Sequence, residues 1–312
     1  MVGAPKCGTS AMAQFLGTHP EIFMARKEMH HFGRDLRFAP KFYRRDLAAY
    51  LAEFEGWKEQ ARGGEASVWY LFSADASREI HAFNPDASII IMLREPAQML
   101  HSLYHQFYFD GNEDLPSFEE ALEAEPDRRA GRRIGRQAYL VQALAYREVA
   151  GYTAQVRRYF DVFGRERVLV ILYDDFVADV RETCRRAFKF LGVDPAKIPA
   201  KFDVINSAKT VRSPALRAVL RDPGLRAMAL ALRPRLPWVF ALFQKAESRL
   251  QKANTRFHKR PPLAPETSAR LRNQFATEVE RLGQLLGRDL SHWSSPLPPP
   301  VERNIQLENC LL

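Results

Sequence analysis

At 312 residues, 46% hydrophobic and 27% charged, the chain has the composition of a globular protein with a core of its own, which excludes a disordered or low-complexity polypeptide. Cys7, Cys184 and Cys310 are an odd number at unrelated spacings, which fits neither a disulfide framework nor a zinc site and suits a reducing compartment. The net charge of +9 is concentrated in residues 212–260, where twelve Lys or Arg face only Asp222 and Glu247. This suggests one face near an anionic ligand, acceptor or membrane surface, or simply a solvated helical face, and argues against general nucleic-acid binding.

In chain order, no segment approaches the roughly 18 apolar residues of a membrane span, and the N-terminus lacks a basic region followed by an apolar one, so a cytoplasmic location is expected. The first motif follows Met1 and Val2 directly, whereas a buried strand usually takes about five or six residues. A longer native N-terminus therefore stays open. Gly3-Ala-Pro-Lys-Cys-Gly-Thr-Ser10, followed by Ala11–Gly17 with apolar Met12, Phe15 and Leu16, reads as strand end, glycine turn and helix. Amides at such a turn form an anion cradle, here with Gly8, Thr9 and Ser10 as donors and Lys6 as a mobile cation. A nucleotide-hydrolysing loop places its lysine straight after the second glycine; Lys6 precedes Gly8 by two. A structural glycine turn is the plain alternative.

A short Ile22-Phe23-Met24 strand leads into Ala25-Arg-Lys-Glu-Met-His-His-Phe32, where Glu28, His30 and His31 are candidate proton acceptors and pairing of Glu28 with Lys27 or Arg26 is the structural alternative. Trp69 and Tyr70 read as core in preference to acceptor wall. Ser88–Leu93 is a continuous apolar run, as expected for a strand buried on both faces, and Pro96 opens a helix through about Phe107. Arg94 at the strand's end and Ser102 eight residues on can converge on a second phosphate; local pairing of Arg94 with Glu95 or Asp110 competes.

Tyr139–Phe160 reads as one long amphipathic helix, Arg167–Tyr173 as another buried strand, and Asp174-Asp175 as the entry to a helix ending near Gly192. Past Asn206 no strand is evident, and Pro214–Leu220, Pro237–Leu250 and Pro265–Leu286 read as helices before an extended tail. The expected fold is α/β: a P-loop-like doubly wound parallel sheet flanked by helices, with a C-terminal helical region. The expected units are a nucleotide-binding core over 1–205, a basic helical part of the same domain over 206–293, and a tail over 294–312.

Pro5-Lys-Cys-Gly-Thr-Ser10 resembles the 5′-phosphosulfate loop of sulfotransferases that use 3′-phosphoadenosine 5′-phosphosulfate (PAPS), and Arg94 with Ser102 resembles their 3′-phosphate site. The Lys27-Glu28-Met29-His30 run is similar to the base motif of the carbohydrate, heparan-type branch, which places Glu28 on the catalytic glutamate. The small-molecule branch uses histidine there. Gly64-Glu-Ala-Ser-Val-Trp-Tyr-Leu71, Tyr173-Asp-Asp-Phe176 and Leu285-Leu-Gly-Arg-Asp-Leu-Ser-His-Trp293 resemble later family segments. Ala66 departs from the pattern, since carbohydrate enzymes often place a second active-site lysine there; Lys27, Lys209 or an arginine is left to supply that charge.

The resemblance implies PAPS as donor and adenosine 3′,5′-bisphosphate as product, held by Lys6, Cys7, Gly8, Thr9, Ser10, Arg94, Ser102, Lys209 and Arg212, with no metal and no catalytic role for Cys7. It implies a hydroxyl or amine acceptor that is a carbohydrate, a lipid-linked molecule or another small molecule. Peripheral membrane contact through 212–260 stays open, with Leu236, Val239, Phe240 and Phe243 at helical spacing. A P-loop kinase or NTPase and a non-catalytic nucleotide-binding module are the rival classes.

Overall fold

The computed structural model shows two short parallel β-pairs, of which the second is formed by apolar, largely β-branched runs followed by helices. It describes residues 1–39, 46–198 and 261–295, with Lys209–Val211, Thr255–Phe257 and isolated positions between 238 and 253. β1 (Ile22–Met24) pairs in parallel with β2 (Arg62–Gly64), and β3 (Ile89–Leu93) with β4 (Val168–Leu172), in register from Ile89↔Val168 to Leu93↔Leu172. Every β3 residue is buried, which is why its sequence is apolar throughout instead of alternating.

The segment Met1–Ala4 joins the two pairs. On one side Val2 N donates to Ile90 O (3.1 Å) and Ala4 N to Met92 O (2.7 Å). On the other, Ser67 N donates to Met1 O (3.1 Å) and Leu71 N to Val2 O (2.7 Å). The entry to the glycine turn is thus held from both sides.

Helices cover this framework. α1 (Thr9–Gly17) follows the turn, α2 (Leu47–Ala52) precedes β2, and α3 (Ala76–Phe83) precedes β3. α4 (Pro96–Asp110) has proline at its first position and Glu95 as its cap, whose carboxylate accepts from Ala97 N (3.0 Å) and Gln98 N (2.8 Å). Short α5 (Phe118–Glu123), α6 (Glu125–Arg129) and α7 (Tyr146–Val149) lead to α8 (Tyr152–Phe163). After β4 come α9 (Tyr173–Ala178) and α10 (Val180–Leu191), the latter closed by Gly192 in the left-handed region. α11 (Pro265–Leu286) spans the expected residues and packs on α4 and α8 through Leu271, Phe275, Val279 and Leu282, one face at helical spacing. Each such burial contributes about 1.5–3 kcal/mol. Among the described residues no helix is long and apolar enough to cross a membrane.

Three sequence expectations need correction. Tyr139–Phe160 is not one helix. Its start is drawn into extended pairing, with Ala39 N donating to Tyr139 O (2.8 Å) and the Tyr139 and Leu140 amides held by Asn112 Oδ1 (2.6 and 3.1 Å). Ala145 (ψ 73°) and Gly151 (ψ 60°) then leave helical geometry. The helix after β4 is broken at Asp179, whose extended backbone and carboxylate cap α10. Past Asn206 there is strand after all: β5 (Lys209–Val211) pairs antiparallel with β6 (Thr255–Phe257), each too short to show a period in sequence. The expected helix Pro214–Leu220 lies outside the described residues, as does Pro237–Leu250 apart from isolated positions such as Trp238, and the tail is described only to Ser295.

Candidate active site

The glycine turn is built around left-handed backbone. Gly8 (φ 86°, ψ 5°) ends it, and a Cβ there would lie 3.2 Å from the Phe176 ring and 3.3 Å from the Met92 methyl. No side chain caps α1, so its first amides, from Thr9 onward, point outward without an intrahelical partner. The two hydroxyls differ: Thr9 is buried, whereas Ser10 Oγ accepts from Lys27 Nζ at 2.7 Å. Lys6 (φ 61°) reaches across to Gln106 Oε1 (3.1 Å), and Gln106 Nε2 donates to Asp110 Oδ2 (2.7 Å). Cys7 faces inward, with Sγ 3.3 Å from Pro5 O. Burial pushes its thiol up to about 12, outweighing the nearby Arg94 and Lys6 cations, so only its backbone is available to an anion.

Four non-glycine residues among those described have positive φ, and three are Lys6, Glu28 (59°) and His30 (51°). Such conformations cost of order 1–3 kcal/mol each and cluster at functional sites. Here the residues after β2 hold Glu28 and His30. Glu28 N donates to Ala66 O (2.9 Å), Met29 N and His30 N to Ser67 Oγ (3.0 and 3.3 Å), and His31 N to the Tyr70 hydroxyl (2.9 Å). Trp69 and Tyr70 are core residues, as their type suggests.

Glu28 is recessed but accessible, with 37% of its side chain exposed. Oε2 accepts from Val68 N (3.2 Å) and lies 3.8 Å from His30 Nε2, while Oε1 is 3.6 Å from Lys27 Nζ. Desolvation raises its pKa above the usual carboxylate range, and Lys27 opposes that rise. Desolvation likewise pushes His30, stacked on Phe38 with ring centroids 4.2 Å apart, down to about 4, so the imidazole is neutral near pH 7. His31 stacks on Tyr50 at 4.2 Å within an aromatic cluster. The expected Lys27–Glu28 pair exists, but it sits beside the anion cradle and not on an open surface.

Arg94 leaves β3 with its guanidinium over the Tyr173 ring, 4.6 Å from the centroid. Among the described residues no carboxylate pairs with it: Glu95 caps α4 and faces Arg272 Nε at 3.7 Å, and Asp110 takes Gln106. Ser102 is 1% exposed, and among the described residues its hydroxyl has no hydrogen-bond partner. A buried orphan hydroxyl costs about 1–3 kcal/mol, so this position suits an incoming polar ligand. Lys209 lies in β5, which packs beside α4, although its side chain is not among those described; Arg212 lies outside the described residues. Gln106 was not singled out from sequence; its one signal is its place a helical turn after Ser102.

The remaining motifs meet each other. Asp174 Oδ2 accepts from Trp293 Nε1 (2.6 Å) and lies 3.0 Å from His292 Nε2, and Asp175 takes both guanidinium nitrogens of Arg288 (3.0 and 3.1 Å). This seats the C-terminal motif against the exit of β4.

Residues 1–208 match the sulfotransferase domain. The crystal structure of a sulfotransferase from Alicyclobacillus acidocaldarius superimposes with a TM-score of 0.69 at 30% identity, covering 95% of this chain and 97% of that one. Human carbohydrate sulfotransferase 15 is 29% identical over 245 residues, covering 62% of this chain and 43% of its own. Human heparan sulfate glucosamine 3-O-sulfotransferase 6 is 32% identical over 118 residues, 38% of this chain and 32% of its own. The chain thus spans less than half the length of these curated relatives. On the match over residues 1–208 and the end-to-end likeness to the bacterial structure, the chain belongs to the sulfotransferase domain family.

Proposed function

We propose that the protein transfers a sulfuryl group from PAPS to a hydroxyl or amine of a carbohydrate-type acceptor. The observation that carries this reading is the bond from Lys27 to Ser10, which brings the anion cradle and the Glu28 carboxylate into one site. The order β1, β2, Met1–Ala4, β3, β4 fits a P-loop-like wound sheet, with its ligand at the carboxyl ends of the strands.

In this scheme Glu28 accepts the acceptor's proton as the acceptor oxygen attacks sulfur. The S–O bond to the 5′-phosphate breaks in line, and its electron pair leaves on the phosphate oxygen. Lys6 and the amides from Gly8 to Ser10 neutralise that charge, so positioning and electrostatics supply the catalysis and no metal enters. Arg94 and the orphan Ser102 hydroxyl hold the 3′-phosphate, with Lys209 and Arg212 as further phosphate cations. His30, neutral and stacked, shapes the acceptor side. The relatives named for carbohydrate and heparan sulfate substrates favour a sugar acceptor.

The test is Glu28→Gln. Turnover should fall by about three orders of magnitude or more while adenosine 3′,5′-bisphosphate binds within about threefold of wild type. Near-normal turnover removes Glu28 as base and promotes His30 or His31. Binding of Mg-ATP stronger than that of the bisphosphate would favour a kinase-like protein instead.

A further inference from the structure

Among the described residues, the Lys27 side chain is the one that touches both halves of the chemistry. Its ammonium donates to Ser10 Oγ in the anion cradle (2.7 Å) and lies 3.6 Å from Glu28 Oε1, with 29% of the side chain exposed. Among the described residues no Lys or Arg pairs with Glu28 from the β2 side, where buried Ala66 accepts its amide and Glu65 is an ionisable neighbour. Lys6 is directed to Gln106. Among the described residues the ionisable groups around Glu28 are Lys27, His30 at 3.8 Å, Glu65 beyond Ser67, and the Met1 amino group, which interacts with both Glu65 and Lys27.

Proton transfer creates an imbalance in this arrangement. Before transfer, Lys27⁺ is balanced by Glu28⁻. Once Glu28 holds the acceptor's proton it is neutral, and the cation is left uncompensated in a half-buried place where desolvation already lowers its pKa. At the same moment negative charge gathers on the sulfuryl and 5′-phosphate oxygens over Ser10. The transition state is the point at which Lys27 has a partner at either end.

We propose that Lys27 is a catalytic residue of the transfer step, its ammonium passing from the Glu28 carboxylate to the oxygens of the transferring sulfuryl group as Glu28 takes up the acceptor proton. The proposal rests on the sulfuryl-transfer reading above. The balance is that of the scheme already given: the acceptor O–H proton goes to Glu28, the O–S bond forms, the S–O bond to the 5′-phosphate breaks with its electron pair on phosphate, and Lys27 stays protonated throughout.

The test uses the full chain as wild type, Lys27→Met and Lys27→Arg. It follows three quantities: turnover of ³⁵S-PAPS with desulfated chondroitin or heparosan oligosaccharides, calorimetric binding of adenosine 3′,5′-bisphosphate, and ¹³C titration of the Glu28 carboxyl in the unliganded protein. Lys27→Met should lower kcat about 100-fold or more while bisphosphate affinity and the KM for PAPS stay within about threefold. The Glu28 titration and the acid limb of the rate profile should move upward together by about one pH unit, and Lys27→Arg should recover at least tenfold of the lost rate.

A kcat loss below threefold overturns the proposal, as does bisphosphate affinity weakened as much as kcat. An unchanged Glu28 titration overturns it without need of any acceptor. Wild-type protein that binds no adenosine 3′,5′-bisphosphate overturns the sulfuryl-transfer reading itself, and the catalytic role of Lys27 with it. Wild-type activity with an unaffected Lys27→Met variant removes Lys27 alone.

Discussion

The hydroxyl of Ser67 donates to the Glu65 carboxylate at 2.7 Å while its oxygen accepts the Met29 and His30 amides, so one buried side chain holds the active loop at left-handed His30 and the residue that follows left-handed Glu28. Ser67→Ala leaves two buried amides and a carboxylate without that partner. The expected cost is about 2–3 kcal/mol of stability, read from urea midpoints, with turnover reduced by about tenfold as Glu28 loosens. A variant with unchanged stability and turnover would show that the loop holds its shape alone.

Acid conditions should act on this loop twice. His30 titrates near 4 when folded and near 6.5 when unfolded, so between those values the unfolded chain binds the extra proton. Stability contributed by the neutral imidazole is complete above about pH 6.5 and declines as pH falls toward 4, by at most about 3 kcal/mol. Thermal unfolding from pH 7 to 4 should show this slope in wild type and lose it in His30→Phe. Activity should also fail below a pH higher than an ordinary glutamate would set, because Glu28 must be ionised and its pKa is raised.

Gly8→Ala tests the cradle. The new methyl meets Phe176 and Met92 at 3.2–3.3 Å on a backbone at φ 86°, where L side chains are strained. Binding of adenosine 3′,5′-bisphosphate should weaken at least tenfold, with a stability loss of about 1–2 kcal/mol. Wild-type affinity would argue that the amides of this turn do not hold the anion.

Farther out, Arg128 donates to Glu113 at 2.6 Å with both side chains almost fully buried, and the Tyr146 hydroxyl donates to the other carboxylate oxygen at 2.9 Å. Arg128→Met strands a buried carboxylate and should cost about 3–5 kcal/mol; adding Glu113→Gln should recover part of it. Chemical denaturation of the two variants decides the matter.

What could be read from sequence was local. Pro96 at the start of α4, the apolar run of β3, Gly192 closing α10, and the order of Lys6, Gly8 and Ser10 are each set within a few residues. The extended start at Tyr139 and Leu140 was not legible, because Asn112, far back in the chain, holds both amides. Gln106 under Lys6, Ser67 under His30 and Arg272 beside Glu95 escaped for the same reason: these partners are separated by 100, 37 and 177 positions, and only the fold brings them together. Position 66 shows the other limit. Its missing charge is visible in sequence, but Lys27 stands out from Lys209 and the arginines only once Ser10 is found at its ammonium.

The strand leading into the glycine turn is bonded to Ile90 and Met92 on one side and to Ser67 and Leu71 on the other. During synthesis this entry strand therefore emerges long before either neighbour exists. At about 5–20 residues per second, it waits roughly 5–18 seconds for β3 to follow. The cradle cannot take shape around an anion as it leaves the ribosome; it can form only when the centre of the sheet closes.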